Sequence, residues 1–258
     1  MTIKYSILMP YINRAGHLHN TLVSFKHHYA DRDDYEVMLV EDIKNPENDH
    51  KRLLDVISAF GNDIHINLIV AGKHEWFNPS PLFNIAAKSA RGSYFIITSP
   101  EIFHKSNVLD ALDTEFTKDP DAYIVCACEN RKGCNLDIKA FDDLGGVHDV
   151  WYQHSMNPCH NEGANRMYHF CTAISKDNYF KLGGFDEDYS FGICYDDNDL
   201  IDRVQLSGIP VVVRDDMVTV HIAHKHDTRP DNWRELFTRN QQIYKNKVAI
   251  RANHRMCV

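Results

Sequence analysis

The segment Tyr5-Ser-Ile-Leu-Met9 is a short apolar run that ends at Pro10 and continues into a polar loop through Arg14. A second apolar run, Tyr35-Glu-Val-Met-Leu-Val40, is followed in the same way by the pair Glu41-Asp42. Short apolar runs bounded by proline or polar residues are typical of buried strands. The two segments therefore predict strands of one sheet, each ending in a polar loop.

Helical and strand-like patterns alternate around these two runs. Apolar spacing predicts helices over residues 16–29, 51–60 and 81–90, and further strands over residues 64–70 and 93–98. Alternation of this kind is typical of a parallel, doubly wound sheet. Farther along, we expect a helix over residues 197–206, strands over residues 210–213 and 218–226, and a last helix from about Asn232. The predicted fold class is α/β, a mostly parallel central sheet flanked by helices in a single domain.

The composition narrows the class of protein. Of 258 residues, 43% are hydrophobic and 25% are charged, which is ordinary for a globular chain. The formal charge of -8 argues against a nucleic-acid partner, because such proteins normally carry a basic face. The seven cysteines include no CxxC pair and are expected to be reduced thiols. No stretch reaches the ~20 apolar residues of a membrane span, so we expect a cytoplasmic protein, or one peripheral to a membrane.

Polar clusters follow three of the predicted strands. They are residues 10–14, the pair Glu41-Asp42, and Ser99-Pro100-Glu101. Ligands of such sheets bind beyond the carboxyl ends of the strands, so the three clusters are expected to share one edge. Arg14 and Lys73 are candidate phosphate partners there, although either charge could simply be solvated. Asp42 is placed to bind a base or ribose, or else to cap the next turn.

The acidic run Tyr195-Asp-Asp-Asn-Asp199 lies at the start of a predicted helix. One interpretation is structural: Asp196 or Asp197 caps the helix, and Asp199 pairs with Arg203 one turn later. The other is chemical, because a carboxylate held ionised at a helix start is what a general base requires. Both interpretations can hold together if one aspartate caps and its neighbour faces the cleft.

A metal site is a further hypothesis. Glu101 follows a buried strand, and His221 and His224 end another. Together they could bind a divalent ion, and histidine ligands would favour manganese over magnesium. The histidines could equally be a surface pair. Residues 130–169 form a long polar stretch containing Trp151 and Tyr152, and we expect a loop that closes over a ligand.

Several of these segments resemble one enzyme family. Ser6-Ile-Leu-Met-Pro-Tyr-Ile-Asn-Arg14 and Tyr35-Glu-Val-Met-Leu-Val-Glu-Asp42 resemble the opening of family 2 glycosyltransferases of the GT-A fold. Asn84-Ile-Ala-Ala-Lys-Ser-Ala-Arg-Gly92 is similar to the helix before that family's acidic metal-binding motif. Gly183-Gly-Phe-Asp-Glu187, followed by Tyr195-Asp-Asp-Asn-Asp-Leu200 and Arg203, resembles the GGFDE and ED-x-DL-x-x-R segments of galactosyltransferase-type members. The resemblance covers roughly residues 3–226.

The resemblance implies an inverting transfer of a sugar from a nucleotide-sugar donor, a UDP-sugar by analogy, to a hydroxyl of a glycan or glycoconjugate. It implies a nucleotide-binding half (1–101), an acceptor and catalytic half (102–226) and a helical tail (227–258). Asp197 falls on the general base and Asp196 on an acceptor-positioning residue, with Trp151, Tyr152 and His154 on the acceptor side. The nucleotide-sugar site would comprise Pro10, Tyr11, Ile12, Arg14, Glu41, Asp42, Lys73, Asn84, Ser99 and Pro100. The manganese ligands would be Glu101, His221 and His224.

Two positions depart from the family pattern. Ser99 stands where the metal-binding motif normally has its first carboxylate, and Phe83 stands where an arginine often precedes Asn84. Two other functions therefore remain open. A protein that binds nucleotide sugars without transferring them is compatible with Ser99. A nucleotidyltransferase would normally open with a glycine-rich basic loop, whereas this chain has only Arg14 and Gly16 there.

Overall fold

Eight strands form one sheet in the computed structural model, which describes residues 2–43, 49–129, 170–222 and 230–255. The strands in these ranges are β1 Tyr5–Tyr11, β2 Tyr35–Glu41, β3 Ile66–Val70, β4 Tyr94–Thr98, β5 Ile102–His104, β6 Tyr123–Glu129, β7 Cys171–Ser175 and β8 Val211–His221. The helices there are α1 Ala15–His28, α2 His50–Phe60, α3 Ser80–Ser89, α4 Val108–Lys118, α5 Lys176–Lys181, α6 Asp196–Leu206 and α7 Trp233–Arg255. A short 3-10 helix spans Glu187–Tyr189.

The sheet is parallel in its first half and mixed in its second. Its strand order is β3-β2-β1-β4-β7-β6-β8-β5. β1 pairs in parallel with β2 and β4, and β3 extends this parallel part beyond β2. β7 runs antiparallel to β4 and β6, β8 is parallel to β6, and β5 is antiparallel to β8. The carboxyl ends of β1 to β4 therefore meet at one edge of the sheet.

The four strands and three helices predicted for the first half are confirmed, with ends within two residues of those expected. Successive side chains of a strand point to opposite faces of the sheet, so β1 contributes side chains to two hydrophobic cores, one on each face. Ile7 belongs to a cluster on one face that includes Leu18 of α1, whereas Leu8 belongs to a cluster on the other face that includes Ala86 of α3. Burial of each such aliphatic side chain contributes about 2 kcal/mol, so the alternation fixes which helix covers which face.

The second half differs from the sequence prediction in more elements than the first, since β5, α4, β6, β7 and α5 were not predicted. The strand predicted over residues 210–213 and the described part of the one predicted over residues 218–226 form a single strand, β8; residues 223–226 lie outside the described residues. Its pairing with β6 shifts register where Cys126 faces Arg214 and Ala127 faces Val218. The exposed pair Asp215-Asp216 lies in this irregularity. The two charged residues are therefore not paired with β6, and the strand continues beyond them.

The described cysteines and helices bear on what the composition predicted about thiols and membrane spans. Cys126, Cys128, Cys171 and Cys194 take part in no disulfide, and the first three are buried. Cys134, Cys159 and Cys257 lie outside the described residues. Among the residues that the structure describes, no helix has the length and apolar content needed to cross a bilayer.

Candidate functional site

A cavity of about 530 Å³ opens at the carboxyl ends of the parallel strands. The loop after β1 contributes Pro10, Tyr11, Ile12 and Arg14, the end of β2 contributes Asp42, and the loop after β4 contributes Ser99, Pro100 and Glu101. The structure thus brings together residues from all three polar clusters. Their common edge follows from the parallel pairing of β1 with β2 and β4.

The loop between β3 and α3 forms a further wall of the cavity that the sequence prediction missed. Trp76, Phe77, Asn78 and Pro79 line it, together with Leu82 and Phe83 at the start of α3. β3 is also parallel to β2, so its following loop reaches the same edge. The parallel arrangement of the strands could have identified this loop from the sequence. The sequence analysis searched for polar clusters, however, and the loop is mainly aromatic and apolar.

His74 adds a polar group beside this wall. Its ring stacks on Trp76 with centroids 4.1 Å apart and an angle of 16° between the planes. His74 Nε2 lies 3.3 Å from Asp42 Oδ1, and the His74 side chain is only 5% exposed. Asp42 is therefore flanked by an aromatic stack that fixes the orientation of its imidazole partner.

Three predicted nucleotide residues lie away from the cavity wall. The Glu41 side chain is 1% exposed, and its Oε2 lies 2.7 Å from His50 Nδ1. Glu41 is still inside β2, whereas Asp42 follows its last residue, which explains why only Asp42 reaches the cavity. Lys73 is exposed and is not among the residues that line the cavity.

Asn84 is the third of these residues, and its amide is bound within the protein. Oδ1 accepts hydrogen bonds from the Tyr179 hydroxyl at 2.9 Å and from the Phe185 N–H at 3.0 Å. Nδ2 donates to the Phe185 carbonyl at 2.9 Å and to Glu187 Oε1 at 2.8 Å. With both ends of the amide engaged in a buried position, Asn84 holds the segment after Gly184 instead of lining the cavity.

The acidic run begins α6, but neither Asp196 nor Asp197 is its cap. The capping position is Tyr195, whose φ of 71° is left-handed, and no side chain caps the helix there. Asp197 is half-buried, and its Oδ1 accepts a hydrogen bond from the Asn198 N–H at 2.8 Å. The predicted pairing of Asp199 with Arg203 is confirmed, with 2.7 Å between Oδ2 and Nε.

Asp196 connects the acidic helix to the cavity. Its Oδ1 accepts a hydrogen bond of 2.8 Å from Asn78 Nδ2, and Asn78 itself lines the cavity. Burial raises the pKa of Asp196, while the hydrogen bond from Asn78 lowers it by less. The amide therefore partly offsets the cost of an ionised carboxylate in a buried position.

Glu101, which lines the cavity, lies beside His221. The Ile222 N–H donates to the Glu101 carbonyl at 2.8 Å, and Ile102 pairs with His221 across β5 and β8. This pairing leaves 4.0 Å between Glu101 Oε1 and His221 Nε2. One oxygen and one nitrogen donor so close together could share a cation. Within the described ranges, however, no group of three or more His, Cys, Asp or Glu side chains could hold a metal ion.

Four other predicted site residues lie outside the described residues. They are Trp151, Tyr152 and His154, which were assigned to the acceptor side, and His224, which was assigned to the metal. Those assignments stay predictions, as does the loop over residues 130–169.

Solved structures share this architecture. TarS residues 1–349 of S. aureus, in complex with UDP-GlcNAc, has a TM-score of 0.62 and 14% identity, with 91% of this chain and 64% of that chain covered. The mannosyltransferase PcManGT from Pyrobaculum calidifontis, in complex with GDP-Man and Mn2+, has a TM-score of 0.61 and 16% identity, with 88% and 59% covered. A longer TarS structure has a TM-score of 0.63 and 13% identity, with 88% and 38% covered.

These likenesses define the fold class. The chain is an α/β protein with the GT-A fold, as the sequence resemblance implied. It spans less than two thirds of the length of each of these solved chains. No family model matches the sequence, and no curated protein matches it.

Proposed function

We propose that this chain is a glycosyltransferase of family 2 type, which transfers a sugar from a UDP-sugar to a hydroxyl of a carbohydrate or glycoconjugate with inversion. One observation carries the proposal: Asn78 lines the cavity beyond the strand ends and is hydrogen-bonded to Asp196 at the start of α6. A donor-sized cavity and an acidic helix start are thus joined by one direct contact.

The cavity suits the nucleotide part of the donor. Its volume of about 530 Å³ lies within the range of roughly 300–1,000 Å³ that small-molecule and cofactor sites occupy. Asp42 is placed to accept hydrogen bonds from a base or ribose, and Arg14 to pair with phosphate. The structures of TarS with UDP and UDP-GlcNAc, and of PcManGT with GDP-Man, support a nucleotide sugar as the ligand class.

Glu101 and His221 are the proposed ligands of a divalent ion, and their donors fit Mn2+. A carboxylate oxygen and an imidazole nitrogen 4.0 Å apart provide two positions, and donor diphosphate oxygens would fill others. Such an ion would offset the negative charge that develops on the leaving diphosphate. The complex of PcManGT with Mn2+ supports this choice of metal.

Asp197 is the proposed general base. It removes the proton of the acceptor hydroxyl as the oxygen attacks the anomeric carbon, and the bond from that carbon to the diphosphate oxygen breaks with its electron pair leaving on the diphosphate. Asp196, held by Asn78, positions the acceptor. Alignment of donor and acceptor by these groups supplies the rest of the rate enhancement through proximity.

Asp197→Asn is the variant that tests the base. Asparagine keeps the Oδ1 that accepts the Asn198 N–H, so the start of α6 should be unchanged. Because the amide cannot take up the acceptor proton, we expect transfer to fall roughly 10²- to 10⁴-fold while UDP binding is retained with and without Mn2+. The measurements are UDP release from a panel of UDP-sugars with acceptor, and UDP affinity by calorimetry.

Asp177→Asn is the matched control, since Asp177 is an exposed aspartate in the first turn of another helix, α5. Transfer by Asp197→Asn at the wild-type rate would rule out Asp197 as the base. The alternative function, nucleotide-sugar binding without transfer, is favoured by Ser99 at the cavity edge in place of a carboxylate. Tight UDP binding by the wild-type protein, with no turnover of any donor, would support that alternative.

A further inference from the structure

The C-terminal helix α7 packs along the segment that leads into the acidic run. The Ile193 N–H donates to the Leu236 carbonyl at 3.2 Å. The Gln241 amide donates to the Tyr195 hydroxyl at 2.8 Å, and the Tyr195 ring packs against Phe237, with centroids 5.2 Å apart. A helix that the sequence suggested to be a tail is therefore in contact with the residue immediately before Asp196.

The segment held by α7 contains two consecutive residues in the left-handed region. Cys194 has a φ of 62° and Tyr195 a φ of 71°, although neither is a glycine. A side chain at Cβ makes such conformations unfavourable, so they persist only where surrounding contacts impose them. The direction in which α6 starts, and with it the placement of Asp196 and Asp197, depends on those contacts.

Asn240 provides the contacts that act directly on this turn. Its side chain is fully buried, and Nδ2 donates both to the Tyr189 carbonyl at 2.9 Å and to the Cys194 carbonyl at 3.0 Å. A Cβ on Gly192 would lie 2.1 Å from Asn240 Oδ1, which shows how closely the turn is pressed against the amide. Asn240 thus joins both ends of the turn to the helix.

We propose that Asn240 is a positioning residue for the acidic start of α6: it holds the turn over residues 190–195 in its left-handed conformation, so that Asp196 and Asp197 face donor and acceptor. The proposal rests on the roles of those aspartates in the proposed function. Asn240 acts through the backbone of the turn and not through contact with a substrate.

Other contacts keep α7 in place without Asn240. Arg251 pairs with the buried Asp199, and Lys247 pairs with Asp186 and, at 2.7 Å, with Asp188. The Tyr244 hydroxyl donates to Asp202 at 2.7 Å. Loss of the Asn240 amide should therefore loosen the turn locally and leave the helix attached.

The test compares Asn240→Ala with Asn246→Ala, a change of the same kind at an exposed position of the same helix. Hydrogen–deuterium exchange of residues 189–199 reports the turn, UDP calorimetry reports the donor pocket, and UDP release in the presence of acceptor reports transfer. For Asn240→Ala we expect faster exchange in the turn, an unchanged UDP Kd and donor KM, and a kcat lowered roughly 10- to 100-fold, as for a misplaced catalytic group. Asn246→Ala should match the wild type in all three.

Unchanged exchange in the turn would overturn the proposal, and so would faster exchange with an unchanged kcat. A wild-type protein that transfers no sugar would contradict the proposed function instead, and the exchange measurement would then decide alone whether Asn240 holds the turn. If Asn240→Ala does not fold by circular dichroism, Gln241→Ala replaces it, because this change removes the donor to the Tyr195 hydroxyl and otherwise only the exposed acceptor of Lys245. The same pattern, smaller in size, is then expected.

Discussion

The imidazole of His104 is enclosed on β5, with no exposure to solvent. Its Nδ1 is hydrogen-bonded to the Tyr29 hydroxyl, its Nε2 lies 3.8 Å from Cys171 Sγ, and its ring packs against Phe25 with centroids 4.8 Å apart. Burial, with a smaller effect of the nearby His28, lowers the pKa of His104 to about 3. The folded protein therefore holds this residue neutral throughout the physiological range.

Acid should weaken the fold through His104. In the unfolded chain His104 binds a proton below its ordinary pKa of about 6.5, whereas in the folded chain it does so only near pH 3. The stability that is fully present above about pH 6.5 is therefore lost progressively as the pH falls from about 6.5 towards 3. His104→Asn should reduce the slope of unfolding free energy against pH by up to about 1.4 kcal/mol per pH unit between about pH 6 and 4. Urea unfolding at several pH values measures it.

His65→Asn, at an exposed histidine, is the comparison. It should keep the wild-type slope. A slope for His104→Asn that equals that of the wild type would show that His104 binds protons equally in the folded and unfolded states, against the burial argument.

At the scale of elements, the connection from α3 to β4 is limited by space. The Gly92 N–H donates to Ser6 Oγ at 2.8 Å, and Ser6 Oγ donates to the buried Glu36 at 2.7 Å. A Cβ on Gly92 would lie 2.6 Å from the Ser6 backbone nitrogen and 2.8 Å from the Tyr5 carbonyl carbon. Gly92, which follows the end of α3, therefore allows the chain to pass close to β1 just before β4 begins.

Gly92→Ala should be destabilising, because the added methyl group meets backbone atoms that cannot move aside. We expect a loss of about 1–3 kcal/mol of unfolding free energy, typical of overpacking in a well-packed region. Gly72→Ala is the matched control, since a Cβ there has nothing within 4 Å. Urea midpoints compare the two, and a Gly92→Ala midpoint equal to that of Gly72→Ala would contradict the crowding.

At the scale of the whole molecule, side-chain amides join the two halves of the chain in addition to the pairing of β4 with β7. Asn84 of α3 bonds to Phe185, which lies 101 residues away in sequence, and Asn78 bonds to Asp196 over a separation of 118. The first contact holds the glycine-rich segment against α3, and the second joins the cavity to α6. Placement of the candidate base relative to the nucleotide pocket therefore depends on both halves.

Asn84→Ala should lower stability and leave nucleotide binding intact. It removes four hydrogen bonds and leaves buried partners at Phe185 and Tyr179 unsatisfied, so we expect a loss of about 3 kcal/mol. Asn62→Ala, at an exposed asparagine, is the control and should change stability little. Thermal unfolding and UDP calorimetry measure the two properties, and a weaker UDP affinity without loss of stability would support the contact with nucleotide that the sequence resemblance implied.

Sequence by itself determined the first half of the fold and the edge where the cavity lies. The alternation of apolar strands and amphipathic helices is a local pattern, and parallel pairing then requires the loops after β1, β2 and β4 to share one edge. The acidic start of α6 was visible for the same reason, because a helix start and its carboxylates are neighbours in sequence.

Only the tertiary structure decided which polar side chains face the cavity. Glu41 and Asp42 are adjacent and equally polar, yet the first pairs with His50 and the second lines the cavity. The roles of Asn84, Asn78 and Asn240 likewise follow from partners far away in sequence. An amide side chain bonds to whatever donors and acceptors surround it, and those surroundings exist only once distant segments have packed together.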